Sequence, residues 1–375
     1  MPSADFWSSI AVAHEHYYER GGGEYVAEEL ARTFDAPLYT GFINDEALPE
    51  ERDVEFHDLF GDGVTGQLIR RSTFFRDFYY QFAWQYVPEL TDYDVLVQSG
   101  NNPGWYVPPD EQVLVKYVHS PPRTAYDRFH ERGDNLLTRL YAYASRVLYQ
   151  PNIHYPDVYV ANSELVARRI RRYWGIEDVE VVYPPTATET YEPAAKEDFY
   201  LSYSRLTANK RFDEIIEAFR EHPDKRLVIG GSGPQEAHLR ELADGMDNVE
   251  FRGYLDEDEK RDLLGRAKAL VYAAENEDFG MVPIEAFASG TPVIGVEDGY
   301  TKYQVEDGEN GLLYPRGVDS LSDAIGRFEA NGVSLDAAEI AERAEKYSME
   351  RFRERMREVV ENAVADASIE VGVSE

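Results

Sequence analysis

Short apolar runs alternate with longer amphipathic segments along most of this 375-residue chain. The run SSIAVAHE is followed by the helix-like GEYVAEELARTF, and further strand-like runs are YDVLVQSG, EQVLVKYVHS and DVYVANS. Such alternation is typical of parallel sheets joined by crossover helices. Because the chain exceeds what one hydrophobic core usually organises, we expect an α/β protein with two Rossmann-like, doubly wound domains facing a cleft.

A change of pattern marks the border between the predicted domains. Pro184, Pro185 and Pro193 interrupt the alternation, as an interdomain connector would. Strand-like and helix-like runs then recur until the last periodic segment, SMERFRERMREVVENAVADA, a helix with no strand after it. We therefore predict domains at 1–188 and 189–347, followed by a helix at 348–375.

The sequence is strongly acidic. It contains 71 Asp and Glu against 38 Lys and Arg, a net charge of -33, and only eight of the basic residues are Lys. This lysine-poor composition resembles that of proteins from salt-adapted archaea. Nucleic acid is excluded as a partner, because binding a phosphate backbone requires a surplus of basic residues. An acidic solubilising surface is the simplest role for most of these charges.

Cysteine is absent from the sequence, which excludes disulfides, thiolate metal sites and a Cys nucleophile. The segment MPSADFWSSIAVAHE lacks the basic and apolar regions of a secretory leader. No run of about 18 apolar residues is present, as a membrane-spanning helix would require. We therefore expect a cytoplasmic protein, with peripheral contact to the inner membrane face as a further option.

The segment EDFGMVPIEAFASGTPVI carries the strongest functional signal. Gly280 lies where a strand-exit loop meets a helix, and backbone N–H groups at a helix N-terminus bind phosphate well. A diphosphate could therefore approach Gly280, Met281 and Val282. Glu285 can accept hydrogen bonds from a ribose diol, and Glu277 from sugar hydroxyls. The alternative is an acidic loop that caps a core helix.

This segment resembles family 4 of the retaining glycosyltransferases, whose pattern is E-x-F-G-x-x-x-x-E followed by A-x-G-x-P-V-I. The matching residues are Glu277, Phe279, Gly280, Glu285, Ala288, Gly290, Pro292, Val293 and Ile294. The resemblance implies the GT-B fold, in which a C-terminal helix crosses back to the first domain. It also implies transfer of a hexose from a nucleotide sugar, a GDP- or UDP-sugar, to a glycan or lipid-linked glycan, with retained configuration and no metal or other cofactor.

Two cations upstream fit the same resemblance. The family pattern S-R-L-x-x-x-K matches at Ser204, Arg205, Leu206 and Lys210. Arg205 and Lys210 could neutralise the charge that develops on a departing diphosphate. We therefore predict catalytic roles for Arg205, Lys210 and Glu277, although an Arg and a Lys after a strand are usually surface charges.

Two weaker signals lie in the second domain. Gly231, in GGSGP, occupies a Gly-rich turn comparable to one near the nucleotide in the family, but such turns are often only tight backbone. Tyr254, in FRGYL, falls where the family has a base-contacting loop, and a packed aromatic is the alternative. Together with Phe279, both are predicted donor-binding residues.

The first domain contributes a glycine element and a histidine. Three consecutive glycines from Gly21 are expected between the first strand and the first helix. Gly22, Gly23 and Glu24 resemble a family G-G-x-E element, whose register the triple glycine leaves ambiguous by one residue. His119, Pro121 and Arg123 resemble the His-x-P-x-R arrangement of family members that transfer mannose or related hexoses. We predict that Gly22 and Gly23 bind the donor and that His119 contacts the sugar, while a structural His remains the alternative.

A possible metal motif and two possible membrane-contacting segments also have simpler structural interpretations. Asp256 and Asp258 satisfy a D-x-D metal motif, but an acidic cluster at a helix start is the simpler interpretation. The segment from Arg168 to Trp174 could contact an anionic membrane surface, and the aromatic RRSTFFRDFYYQFAWQYV could contact lipid or an acceptor sugar. A solvated helix face and core packing, respectively, are the simpler interpretations of these two segments.

Two rival functions remain open. A GT-B sugar-nucleotide epimerase would form product from the donor alone. A non-catalytic glycan-binding subunit would have no need for Arg205, Lys210, Glu277 and Glu285 together.

Overall fold

The computed structural model describes residues 9–49, 53–128 and 135–373. The chain forms two compact units: unit 1 extends to Pro184 and resumes at Phe352, and unit 2 is Pro185–Arg351. The predicted borders, 188/189 and 347/348, lie four residues from these divisions.

Unit 1 contains a seven-stranded sheet in which every pairing is parallel. Its order is β3-β2-β1-β4-β5-β6-β7. The strands are β1 (Ile10–His14), β2 (Leu38–Thr40), β3 (Phe56–Asp58), β4 (Val95–Ser99), β5 (Val113–Val118), β6 (Val158–Ala161) and β7 (Glu180–Val181). The helices are α1 (Gly22–Phe34), α2 (Gly63–Arg71), α3 (Thr73–Ala83), α4 (Leu136–Tyr149) and α5 (Glu164–Trp174).

Unit 2 contains a six-stranded parallel sheet, in the order β10-β9-β8-β11-β12-β13. The strands are β8 (Tyr200–Tyr203), β9 (Leu227–Gly230), β10 (Val249–Gly253), β11 (Ala269–Tyr272), β12 (Val293–Val296) and β13 (Gly311–Tyr314). The helices are α6 (Phe212–Arg220), α7 (Glu236–Leu242), α8 (Glu257–Arg266), α9 (Met281–Ala288), α10 (Thr301–Gln304), α11 (Val318–Asn331) and α12 (Ala337–Ala344). The prediction of two Rossmann-like parallel sheets is confirmed.

Most strands are buried along their whole length, as β1, β4, β5, β8 and β12 illustrate. Parallel sheets covered on both faces produce continuous apolar runs rather than alternating ones. The runs seen in the sequence therefore correspond to central strands, whereas the half-exposed β3 and the two-residue β7 at the sheet edges lack them.

The last helix, α13 (Met349–Val373), packs on the core of unit 1. Phe352, Met356, Val359 and Val360 are buried, and their spacing places them on one helix face. The predicted return of the C-terminal helix to the first domain is confirmed by this packing.

The aromatic segment at residues 70–87 forms two helices. Ser72 ends α2 and caps α3, where its hydroxyl accepts a hydrogen bond from the N–H of Phe75 at 3.2 Å. Tyr80 and Trp84 are buried in the core, whereas Phe78 and Phe82 are exposed. Core packing therefore accounts for only part of this segment. None of the helices that the structure describes is both long and apolar enough to cross a bilayer.

Candidate functional site

The main candidate site lies at one edge of the unit 2 sheet. Strands β8 and β11 are parallel neighbours, so their carboxyl ends meet at the same edge. Arg205 and Lys210 follow β8, whereas Glu277 and Gly280 follow β11. Arg205 is exposed. This topology gathers residues that lie about 70 positions apart in the chain.

Lys210 and Glu277 form an ion pair at 2.5 Å between Nζ and Oε2. Their side chains are only 18% and 21% exposed. The Tyr272 hydroxyl donates to the same carboxylate oxygen at 3.2 Å, and the Lys210 ammonium lies 5.9 Å from the centre of the Tyr272 ring. Burial, and then the Glu277 charge, raises the pKa of Tyr272 well above its ordinary value, so this hydroxyl remains a donor.

Helix α9 begins directly after this pair. Gly280 precedes it with a φ of +84°, a conformation that favours glycine, and a Cβ there would lie 3.2 Å from Glu277 Cγ. The Gly280 carbonyl accepts from Gln304 Nε2 at 3.0 Å. Met281 and Val282 form the first turn, where backbone N–H groups have no acceptor within the helix. The buried Phe279 ring stacks 5.5 Å from Tyr300.

Glu285 is held from both sides. Its carboxylate accepts hydrogen bonds from the Tyr203 hydroxyl and, at 3.3 Å, from Lys260 Nζ. Lys260 also contacts Glu257 at 2.9 Å. Burial lowers the pKa of Lys260, but the neighbouring Glu285 and Glu257 charges outweigh it and raise that pKa above its ordinary value. The Glu285 side chain therefore has a fixed orientation on α9.

Gly231 follows β9, the neighbour of β8, and Tyr254 follows β10. Gly231 has a φ of +115°, and a Cβ there would lie 1.9 Å from the Ser204 carbonyl oxygen. Tight backbone alone thus requires glycine at this position. Tyr254 is 78% exposed, so the packed-aromatic alternative is wrong. A nucleotide role for either residue stays a prediction.

The D-x-D sequence begins a helix. The Asp256 carboxylate accepts from the N–H of Glu259 at 2.8 Å and caps α8. Within residues 9–49, 53–128 and 135–373, no group of three or more His, Asp or Glu is arranged to hold a metal ion.

In unit 1, the expectation that Gly22 and Gly23 precede the first helix is wrong. Helix α1 begins at Gly22, because Gly21 serves as its cap and donates its N–H to the Glu24 carboxylate at 3.1 Å. Burial raises the pKa of Glu24 to about 7. The two glycines therefore form the first turn of α1, where helix N–H groups are available for an anion.

His119 belongs to a polar chain that the sequence patterns did not reveal. Its Nε2 lies 2.8 Å from Ser99 Oγ, which lies 3.1 Å from His14 Nδ1. A Cβ at Gly23 would lie 4.0 Å from His119 Nε2, so these elements meet. His14 and Ser99 end β1 and β4 in matching register, which is the signal that could have identified them.

Burial controls the charge of these rings. It lowers the pKa of His119 to about 4. The pKa of His14 also falls well below its ordinary value, first because of burial and then because of His119. Both rings are neutral near pH 7, and they can donate or accept hydrogen bonds without carrying charge.

A separate cavity of about 300 Å³ lies within unit 1, between α3 and α4. Its polar lining includes Glu15, His16, Arg76 and Asn101. The buried Nδ1 of His16 has no hydrogen-bond partner among the residues that the structure describes. Burial raises the pKa of Glu15. No sequence motif indicated this cavity.

Residues 186–351, which include every unit 2 residue of the candidate site, match the family model described as Glycosyl transferases group 1. The chain is similar to the lipopolysaccharide core biosynthesis glycosyltransferase LpsE of Rhizobium meliloti (strain 1021), with 26% identity over 212 residues, 53% of this chain and 61% of that protein. It is also similar to the alpha-1,3/1,6-mannosyltransferase alg2 of Schizosaccharomyces pombe (strain 972), with 23% identity over 288 residues, 64% of this chain and 56% of that protein. The chain thus spans less than two thirds of either relative.

Two solved structures share the fold. Anabaena HepE, in complex with UDP and glucose, has a TM-score of 0.72 and 16% identity over 94% of this chain and 100% of its own. Sucrose-phosphate synthase from Thermosynechococcus elongatus has a TM-score of 0.73 and 19% identity over 96% and 100%. The predicted GT-B fold class is confirmed by these likenesses.

Acidification should destabilise the chain through His119. Because its folded-state pKa of about 4 lies below the ordinary 6.5, the unfolded chain takes up the proton first. The contribution of the neutral His119 ring to the free energy of unfolding is therefore complete above pH 6.5, and it is lost as the pH falls towards 4. Between pH 6.5 and 5, urea denaturation should show the wild type losing about 1.5 kcal/mol more than His119→Asn.

The exposed His154 offers the matched control for this measurement, because the same change there removes no buried ring. His154→Asn should follow the wild type. Equal losses in the wild type and His119→Asn would contradict the assignment of a buried, neutral His119.

Proposed function

We propose that this chain, whose second unit matches the group 1 glycosyltransferase model, transfers a hexose from a nucleotide sugar to a glycan or lipid-linked glycan. Configuration is retained, and no metal takes part. The observation that supports this proposal most is the Lys210–Glu277 ion pair at the start of α9. It lies inside the matched residues 186–351.

The donor diphosphate binds at the first turn of α9. The N–H groups of Met281 and Val282 point out of the helix towards it, and Pro283 has no N–H to add. The positive charges of Lys210 and Arg205 lie at the same sheet edge. When the bond from the anomeric carbon to the phosphate oxygen breaks, these charges and N–H groups stabilise the departing diphosphate.

Glu277 accepts hydrogen bonds from hydroxyls of the hexose. Lys210 and the Tyr272 hydroxyl both contact its Oε2 atom and fix the orientation of the carboxylate. The resemblance to family 4 implies that a donor phosphate oxygen takes the acceptor proton, so no side chain needs to be a covalent nucleophile. Glu277 thus positions the sugar without attacking it.

Glu285 binds the ribose of the donor. One of its oxygens accepts from Tyr203 and the other from Lys260, and each carboxylate oxygen can accept a second hydrogen bond. A ribose diol can use these remaining positions. Gly231, Phe279 and Tyr254 complete the proposed donor-binding set of unit 2.

In unit 1, His119 contacts a sugar hydroxyl, and the first turn of α1 at Gly22 and Gly23 binds the phosphate or sugar. A ring with a pKa of about 4 is neutral near pH 7, which suits a hydrogen-bonding role better than a general base. Mannose is the proposed hexose, supported by the His-x-P-x-R resemblance and by the similarity to the mannosyltransferase alg2. The HepE structure holds UDP, which supports a nucleotide-sugar donor.

A thermal-shift panel of GDP-, UDP- and ADP-sugars tests the donor class. At about 100 times its dissociation constant, the true donor should stabilise the protein by about 2.7 kcal/mol. The binder is then assayed for transfer to glycan acceptors at high salt, which suits the acidic surface. If no nucleotide sugar binds, the proposal is wrong. An altered sugar nucleotide formed without acceptor would identify an epimerase instead.

Replacing Glu277 by Gln should lower kcat/KM for transfer by about 100-fold, because the neutral amide binds the sugar hydroxyls and Lys210 less well. Glu275→Gln is the matched control, since it makes the same change two residues away in the same loop and should retain most activity. Steady-state kinetics of transfer, measured on the wild type and on both variants, test this prediction. Equal activity in wild type and Glu277→Gln would remove Glu277 from the site.

A further inference from the structure

Helix α4 turns an apolar face to solvent. Leu137 is 78% exposed, Leu136 71% and Tyr143 65%. Its other exposed apolar residues are Leu140, Tyr141, Val147 and Leu148. At 100° per residue, all seven fall within an arc of about 160° that contains no charged residue.

The opposite face of α4 packs against the protein through Thr138, Ala142 and Tyr149, which are buried. A surface helix usually buries its apolar face, whereas the larger apolar face of α4 is exposed to solvent. Monomeric soluble proteins seldom expose so many contiguous apolar side chains, and such patches mark surfaces that bind a partner. We call the seven outward residues the α4 face.

The charge around the α4 face identifies the kind of partner. Residues 135–156 contain no Asp or Glu, although acidic residues number 71 of 375 in the whole chain. The only charged residues in α4 are Arg139 and Arg146, which lie together at one side of the arc. A helix with Leu and Tyr on one face and Arg at its margin suits the interface of a bilayer with anionic head groups.

We propose that the α4 face docks on the surface of a lipid bilayer that contains anionic lipids. The leucines enter the boundary between head groups and acyl chains, and the tyrosines and the exposed Arg139 lie at head-group level. Arg146 donates its Nε–H to the Ala125 carbonyl at 2.5 Å. The patch from Arg168 to Trp174, which the sequence offered for this contact, is less suitable. Arg169 and Trp174 are buried in unit 1.

A second element of unit 1 supports this docking. Helices α3 and α4 both line the 300 Å³ cavity, and α3 exposes Phe78 and Phe82, whose ring centres lie 5.2 Å apart. From α4, Tyr141 and Leu148 belong both to the cavity lining and to the α4 face. The cavity therefore opens beside the proposed membrane contact.

The cavity beside the α4 face favours one class of acceptor for the transfer reaction, an inference that rests on the proposed function. The polar lining, with Glu15, His16 and Arg76, suits a hydroxyl-bearing head group, while the α4 face suits the lipid that carries it. The acceptor is then an amphiphile taken from the membrane surface. Vesicle binding is measured without donor or acceptor, so its outcome is independent of transferase activity.

Flotation with vesicles tests the docking directly. The wild type should float with phosphatidylcholine vesicles that contain about 30 mol% phosphatidylglycerol and should bind pure phosphatidylcholine less well. Leu137→Glu should lower the partition coefficient for the anionic vesicles by at least about tenfold, because a carboxylate at the most exposed residue of the face opposes both insertion and charge attraction.

Val64→Glu is the matched control, since Val64 is an aliphatic residue on α2 with 75% exposure. That variant should float like the wild type, and circular dichroism should show both variants folded. No flotation of the wild type, or equal flotation of wild type and Leu137→Glu, would overturn the proposal. Sedimentation that shows a wild-type dimer lost in Leu137→Glu, without vesicle binding, would assign the face to a second copy instead.

Discussion

The ion pair between Lys210 and Glu277 joins the two loops on which the proposed donor site depends. Both side chains are mostly shielded from water, so losing either partner would leave the other charge poorly solvated at a cost of about 1–3 kcal/mol. The backbone reinforces the pair. Glu277 O accepts from the N–H of Tyr300 at 2.9 Å, and a Cβ at Gly299 would lie 2.4 Å from Glu277 N. The loop before α9 therefore has little freedom to move.

Much of the fold could be predicted because its determinants are local. Buried parallel strands such as β4 and β5 need continuous apolar runs, and the runs YDVLVQSG and EQVLVKYVHS contain them. The half-exposed edge strand β3 and the two-residue edge strand β7 contain no comparable apolar run, and the sequence pattern did not predict them. The resemblance to a G-G-x-E element predicts Gly22 and Gly23 before the first helix, but Gly21 supplies the cap and the residues after the glycines pack α1 on the core.

The candidate site was predictable only where a motif lies in one continuous segment. Glu277, Gly280 and Glu285 share such a segment, whereas the contact of Glu277 with Lys210 depends on the pairing of β8 and β11. The Ser99 link between His14 and His119 and the cavity between α3 and α4 also arise from tertiary packing. Only the structure shows that the apolar face of α4 is exposed, because the sequence pattern of an apolar helix face predicts packing in the core.

The proposed donor site requires that a nucleotide diphosphate binds the first turn of α9. Hydrogen–deuterium exchange, followed by mass spectrometry with and without GDP or UDP, measures this directly. We predict that the nucleotide slows exchange in a peptide spanning residues 277–288 and leaves α7 (Glu236–Leu242) unchanged. Protection elsewhere in the chain with unchanged exchange at Met281 and Val282 would contradict the claim.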